Sequence, residues 1–221
     1  METKKTHWLA TKSNKDRFVF FCDAIFAIAI TLLILQIDVP DIVYENNIDD
    51  VLIQLWPRFV SFAISFFVIA RFWLVHLNLF AHIRRLDMKL VGMNLFFMAL
   101  IVFLPFTTDF YGAHGENKYV LAFYVLSIVA TSLVSHFTWR YVLRHKELLV
   151  EDHDTAELRK HSWRGLMIST EFVSALIIVF IFPSLVEWYW IIFGIVVAVV
   201  LVGVKVSESH NKINKLEKSN E

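Results

Sequence analysis

The sequence predicts an all-α integral membrane protein with six transmembrane helices in one chain. Three observations carry that expectation. Of the 221 residues, 57% are hydrophobic, 21 are phenylalanine and the mean hydropathy is +0.57, which is more apolar than a soluble domain of this length. The apolar residues gather into six blocks, at about 17–37, 54–78, 88–108, 118–140, 163–183 and 187–206, each close to the ~20 residues that cross a bilayer as a helix. The blocks are too long, and too uniform in polarity, for barrel strands, so helices are the only spanning structures left. The third observation is charge. Lys and Arg crowd alternate connections, and Asp and Glu do not follow them.

Taken in order, the first element follows a basic arm, "METKKTHWLATKSNKDR". The apolar stretch after it is too long for a signal-peptide core and has no clear cleavage site, so it is read as a membrane helix. The arm carries Lys4, Lys5, Lys12, Lys15 and Arg17. The first loop, "DVPDIVYENNIDD", is acidic and has no Lys or Arg, whereas the second holds Arg84, Arg85 and Lys89. The third has only Lys118. The fourth, about 141–162 and expected to be helical in part, is rich in both charges; Arg140, Arg144, Lys146, Arg159, Lys160 and Arg164 lie in or beside it. The fifth has no Lys or Arg, and the tail carries Lys205, Lys212, Lys215 and Lys218. Positive charge stays on the cytoplasmic side, so both termini are expected there. Residues 1–221 are expected to form a single transmembrane domain, with a short arm at 1–16 and a tail at 207–221. Pro40, Pro57, Pro105 and Pro183 fall near block ends, where a missing N–H costs little.

The first helix divides into two faces. At about 100° per residue, Phe21, Ala24, Leu32 and Leu35 fall within about 40° of Ile28, and Thr31 within about 60°. Such a seam also serves lipid contact or ordinary packing. Asp23 lies about 140° away on the other side. A charge near the bilayer centre costs about 2.5–3.5 kcal/mol on insertion scales, so Asp23 needs partners. Trp73 and His76 lie three apart on one face of the second helix, and Asn94 sits at a matching depth in the third. A clamp is expected in which Asp23 accepts from the Trp73 indole N–H, a His76 ring N–H and the Asn94 amide. A proton relay through Asp23 and His76 is the alternative use of the same residues.

Other chemistry is missing. Zero net charge gives no basic surface for nucleic acid, and the lone Cys22 can form no internal disulfide. His76 and His82 are six apart, and His145, His153 and His161 lack compact ligand spacing, so neither a metal site nor a cofactor is expected. No P-loop, GxSxG or GxGxxG occurs, and the chain is not expected to be an enzyme. A TVGYG-like carbonyl filter is missing too. Six helices leave little room for a pore within one chain, so conduction would need an oligomer.

Three stretches carry a resemblance. "RFVFFCDAIFAIAITLLILQIDVP", "LWPRFVSFAISFFVIARFWLVHLNLF" and "RLDMKLVGMNLFFMALIVFLPF" resemble the first three helices of the transmembrane protein 175 family of potassium channels, with its R-x-x-x-F-S-D signature and W-x-x-H pair. The resemblance implies an unconventional channel fold of six helices per repeat, assembled as a homotetramer in single-repeat prokaryotic members. The first helix then lines the pore, and apolar side chains form its constriction. The signature falls on Arg17, Phe21, Cys22 and Asp23, the gate on Ile28, and further pore positions on Thr31, Leu32 and Leu35. The polar partners fall on Trp73 and His76. Cys22 replaces the usual serine, and Gln36 stands where many prokaryotic members have glutamate. The implied partners are further copies of the chain, the lipid bilayer and permeating potassium ions, and the implied location is the prokaryotic plasma membrane. Two rival functions remain at this level. One is a secondary transporter or proton-conducting carrier using Asp23 and His76. The other is a membrane scaffold without transport.

Overall fold

The computed structural model describes residues 12–37 and 48–150, together with positions 174, 177, 180 and 181. The chain divides into two compact units, Met1–Leu176 and Ile177–Glu221; all that follows concerns the first. Its helices are α1 (Lys12–Ile34), α2 (Ile48–Ala81), α3 (Met88–His114) and α4 (Lys118–Arg144), followed by a 3-10 turn at Lys146–Leu148. All four are long and apolar enough to cross a membrane.

The expectation of six transmembrane helices is therefore corrected to four among the described residues. Hydropathy reports apolar length, and the first four of the six blocks coincide with described helices. The block expected at 187–206 lies outside the described residues, as does the block at 163–183 apart from positions 174, 177, 180 and 181, which are helical; the fourth loop from residue 151 onward and the tail lie outside them too.

Local sequence sets the helix ends. The Asp87 carboxylate caps α3 by accepting from the Leu90 N–H at 2.7 Å, and the Asn117 side chain caps α4 by accepting from the Tyr119 N–H at 2.9 Å. Each satisfies an N–H that the first turn would otherwise leave orphaned. Asp49 and Asp50 lie in the first turn of α2, where negative charge meets the positive end of the helix dipole. This polar start places Pro57 well inside α2, and the extension of α3 to His114 encloses Pro105. Both prolines had been expected near helix ends. Membrane helices tolerate such interior prolines when neighbours restore the freed backbone groups.

α3 lies between the others, packed against α1 and α2 on one side and α4 on the other. Its buried residues include Leu90, Asn94, Phe97, Met98, Ile101, Leu104 and Thr108. A polar node joins three helices. The Thr108 hydroxyl on α3 lies 2.8 Å from that of Ser65 on α2, which lies 2.8 Å from the Tyr124 hydroxyl on α4. Further along α3, a Cβ on Gly112 would sit 2.7 Å from the Ser61 Oγ. Glycine thus lets α3 close on α2, as small residues do at membrane helix contacts.

At the opposite end, the α2–α3 turn meets the chain leaving α4. Ile83 and Leu149 form an antiparallel bridge, Arg84 N–H donates to the Leu148 carbonyl at 2.7 Å, and Val150 N–H donates to the His82 carbonyl at 3.0 Å. Leu79, Phe80, Leu86, Trp139, Val142 and Leu148 close an apolar cluster around them. Across this cluster the Tyr141 hydroxyl donates to the second Asp87 carboxylate oxygen.

Candidate functional site

The site is built on α1, whose two faces have opposite fates. Cys22, Phe26, Ala29 and Leu33 recur every three or four residues and are each no more than 1% exposed. This face packs on α2 and α3. The seam runs along the other side: Phe21, Ile28, Leu32 and Leu35 are 51%, 57%, 38% and 72% exposed, and Ala24 and Thr31 are exposed as well. No residue of the described chain covers it.

Thr31 stands apart from the other small hydroxyl residues of these helices. Ser61, Ser65, Thr107, Thr108, Thr131, Ser132 and Thr138 are buried, and Ser127 and Ser135 are half-buried. Beyond the first turn of α1, Thr31 is the one serine or threonine exposed on the four helices, among the described residues. Its hydroxyl donates to the Ile28 carbonyl at 2.9 Å. The proton is thereby spent within the helix, and the oxygen lone pairs turn outward as acceptors. The seam is therefore an exposed apolar surface with one acceptor oxygen one turn beyond Ile28.

Three contacts tether α1 to α2. Near the start of α1, Lys15 Nζ donates to the Ile83 carbonyl just past the end of α2, where a cation also suits the negative end of the dipole. Within the apolar layer, the Trp73 Nε1–H donates to Asp23 Oδ1 at 2.9 Å. Past the end of α1, Arg58 Nη1 donates to the Gln36 carbonyl at 3.3 Å. The seam is thus free while the helix that bears it is held at both ends and in between.

The expected four-member clamp is not what the chain forms. Asp23 and Trp73 meet, but His76 and Asn94 do not reach Asp23. His76 is 2% exposed, and neither ring nitrogen has a hydrogen-bond partner. Its ring lies among Phe26, Phe80 and Phe97, with centroids 5.6, 4.4 and 6.2 Å away, and stacks on Phe97 at 11°. The Asn94 amide donates to its own helix, at the Leu90 carbonyl, 2.9 Å away. It neighbours His76, but without hydrogen-bonding geometry. The physical reason is reach: the long indole of Trp73 spans to Asp23, whereas imidazole, one turn on, meets Phe26. Of the remaining signature positions, Arg17 is exposed at the start of α1, Phe21 belongs to the exposed seam and Cys22 to the buried face. Sequence reasoning missed the Phe26–Phe97 lining, the Ser65–Thr108–Tyr124 node and the Arg58 tether. A phenylalanine in an apolar helix carries no mark of its neighbour, but Ser65 and Thr108 in apolar blocks were a usable signal, since buried hydroxyls seek partners.

Comparison with known proteins places this geometry. Residues 17–105, which span most of α1, all of α2 and most of α3, match the family model described as endosomal/lysosomal potassium channel TMEM175. A potassium channel of Chamaesiphon minutus is 31% identical over 152 residues, covering 66% of this chain and 75% of that one. The chain belongs to the TMEM175 family. Another relative, a potassium channel of Streptomyces collinus, is 31% identical over 136 residues, covering 60% of this chain and 66% of that one. The fold agrees: the crystal structure of a lysosomal potassium-selective channel TMEM175 homolog from Chamaesiphon minutus aligns with a TM-score of 0.74 at 25% identity, over 85% of this chain and 98% of that one. The TMEM175 match begins at Arg17 and so contains the exposed seam, the Asp23–Trp73 bond and the aromatic pocket of His76.

Proposed function

We propose that this chain is one subunit of a potassium-selective channel, with four copies placing the α1 seams around a shared pore. The observation that carries the reading is Thr31: a lone outward hydroxyl on an otherwise apolar exposed seam. A face made only for lipid gains nothing from it. On a pore wall, its oxygen can replace part of an ion's water. Ile28 sets the barrier and Leu32 and Leu35 extend it, because a narrow apolar ring resists wetting and makes an ion shed water to cross. Potassium holds its water less tightly than sodium, so such a ring penalises sodium more. The TMEM175 relatives named as potassium channels support this selectivity. In this reading the protein sits in a prokaryotic plasma membrane with the Lys15–Ile83 end of the helices, and both termini, on the cytoplasmic side.

Asp23 serves this function indirectly. Bonded to Trp73, it fixes the rotation of α1 and so aims the opposite face. A proton carrier using Asp23 and His76 draws no support from their surroundings, since phenylalanine rings and not water-sized polar contacts enclose His76.

The deciding experiment is flux in liposomes holding the purified protein, with potassium and then sodium gradients. Rapid potassium flux with unitary currents and weak sodium flux is expected. Slow, saturating, stoichiometrically coupled transport would replace the channel with a carrier, and no flux at all would leave a scaffold.

A further inference from the structure

α4 carries a second stripe left uncovered by the described residues, with a different ending. Tyr119, Leu126, Leu133 and Phe137 are 67%, 53%, 39% and 54% exposed, and at about 100° per residue they fall within about 40° of one line. Arg140 and Arg144 continue the same line within about 60° of it, one turn apart. Both are exposed, and neither has an ion pair or hydrogen bond among the described residues. Tyr119 and Arg140 are separated by about 32 Å of helix rise, which matches a ~30 Å hydrocarbon core. The stripe therefore has an aromatic residue at one interface and a cation pair at the other.

The surroundings add charge. Lys89 Nζ lies 4.9 Å from the ring centroid of Tyr141, the residue that follows Arg140 in sequence. Asp87, which meets Tyr141, is already occupied by the Leu90 N–H and the Tyr141 hydroxyl. Among the described residues, Glu147 is the other acidic side chain close by in sequence, and it lies beyond the arginines, past the end of the helix.

We propose that this face of α4 binds an anionic phospholipid, with the phosphate between Arg140 and Arg144, Lys89 adding charge, and an acyl chain along Phe137 and Leu133. Two guanidinium groups one turn apart suit a phosphate better than ammonium groups do, because each presents a planar fork of donors. Cations at the end of a membrane helix attract anionic headgroups over roughly a Debye length. The inference rests on the membrane-spanning reading and not on conduction, so its test reads lipid and not ion flux.

The test is native mass spectrometry of the purified full-length protein, titrated with phosphatidylglycerol or phosphatidylcholine of identical acyl chains. The wild-type chain is expected to retain phosphatidylglycerol several-fold more than phosphatidylcholine. Arg140→Gln/Arg144→Gln should bring the two lipids to parity with an unchanged melting temperature, whereas Arg144→Gln alone and Arg140→Lys/Arg144→Lys should each lose part of the preference. A nitroxide label at Leu133 in bilayers should be open to dissolved oxygen. Equal retention of both lipids by the wild-type chain would overturn the proposal, as would an undiminished preference in the double glutamine variant. A label shielded from oxygen would do the same, because another protein surface would then occupy the stripe.

Discussion

α1 and α4 are similar as sequences and different as neighbours. Their most apolar stretches have mean hydropathies of 2.2 and 1.9, yet 22% of the α1 stretch is buried against 50% of the α4 stretch. Both leave an apolar stripe uncovered. What separates the stripes is where the hydroxyls go. α4 turns Thr131, Ser132 and Thr138 into the protein and shows only carbon along its outward line between Tyr119 and Arg140. α1 does the reverse and turns Thr31 outward. Apolarity alone therefore cannot tell a face meant for lipid from one meant for a water-filled or ion-filled path. The direction of the few polar side chains can, because the lone pairs of a hydroxyl facing hydrocarbon find no donor.

This contrast can be broken by exchanging character between the two stripes. The largest effect is expected for Ile28→Asn, which should wet the proposed constriction, raise unitary conductance several-fold and shift the bi-ionic reversal potential toward zero. Leu133→Asn on α4 should do neither in single-channel recordings. Next comes Asp23→Ala. It strands the Trp73 indole N–H, an unmade partnership worth about 1–3 kcal/mol, and frees the rotation of α1. Tetramer recovery and melting temperature should fall while channels that do assemble keep their ion preference; a well-assembled, thermally normal variant would point to a transport role for Asp23. Thr31→Val keeps the shape and removes the oxygen. A loss of about 1 kcal/mol of ion contact corresponds to a roughly fivefold lower potassium-to-sodium permeability ratio, with assembly unchanged. The smallest functional effect belongs to Thr108→Val. Emptying one position of the buried node should lower thermal stability by about 1 kcal/mol and leave permeation alone.

Much of this was legible in the sequence, and the losses have physical causes. The order of the first four spans follows from apolar length, and the uncovered α1 seam from helical angle, because both are properties of a single helix. Asp23–Trp73 was legible because a carboxylate in an apolar layer has few donors to choose from. The place of His76 was not. Sharing a face with Trp73 fixes its direction, but reach across the helix gap depends on the partner side chain, and Phe26 reads like any other apolar residue. α2 begins at Ile48 and not near residue 54 because its first turn is polar, and hydropathy sees the membrane part of a helix and not the whole. The count of six stands at four among the described residues, and the two further apolar blocks fall almost wholly beyond residue 150, outside them.

The central claim is that the Thr31 side of α1 faces permeating ions. Silver ion is similar to potassium in size and binds thiolates, so it reports any thiol on the ion path. In a chain with Cys22→Ser, Thr31→Cys should let silver block the potassium current irreversibly at micromolar exposure, while Leu133→Cys on α4 should leave it untouched. If Thr31→Cys channels conduct and silver does not block them, α1 does not line the path and the account fails.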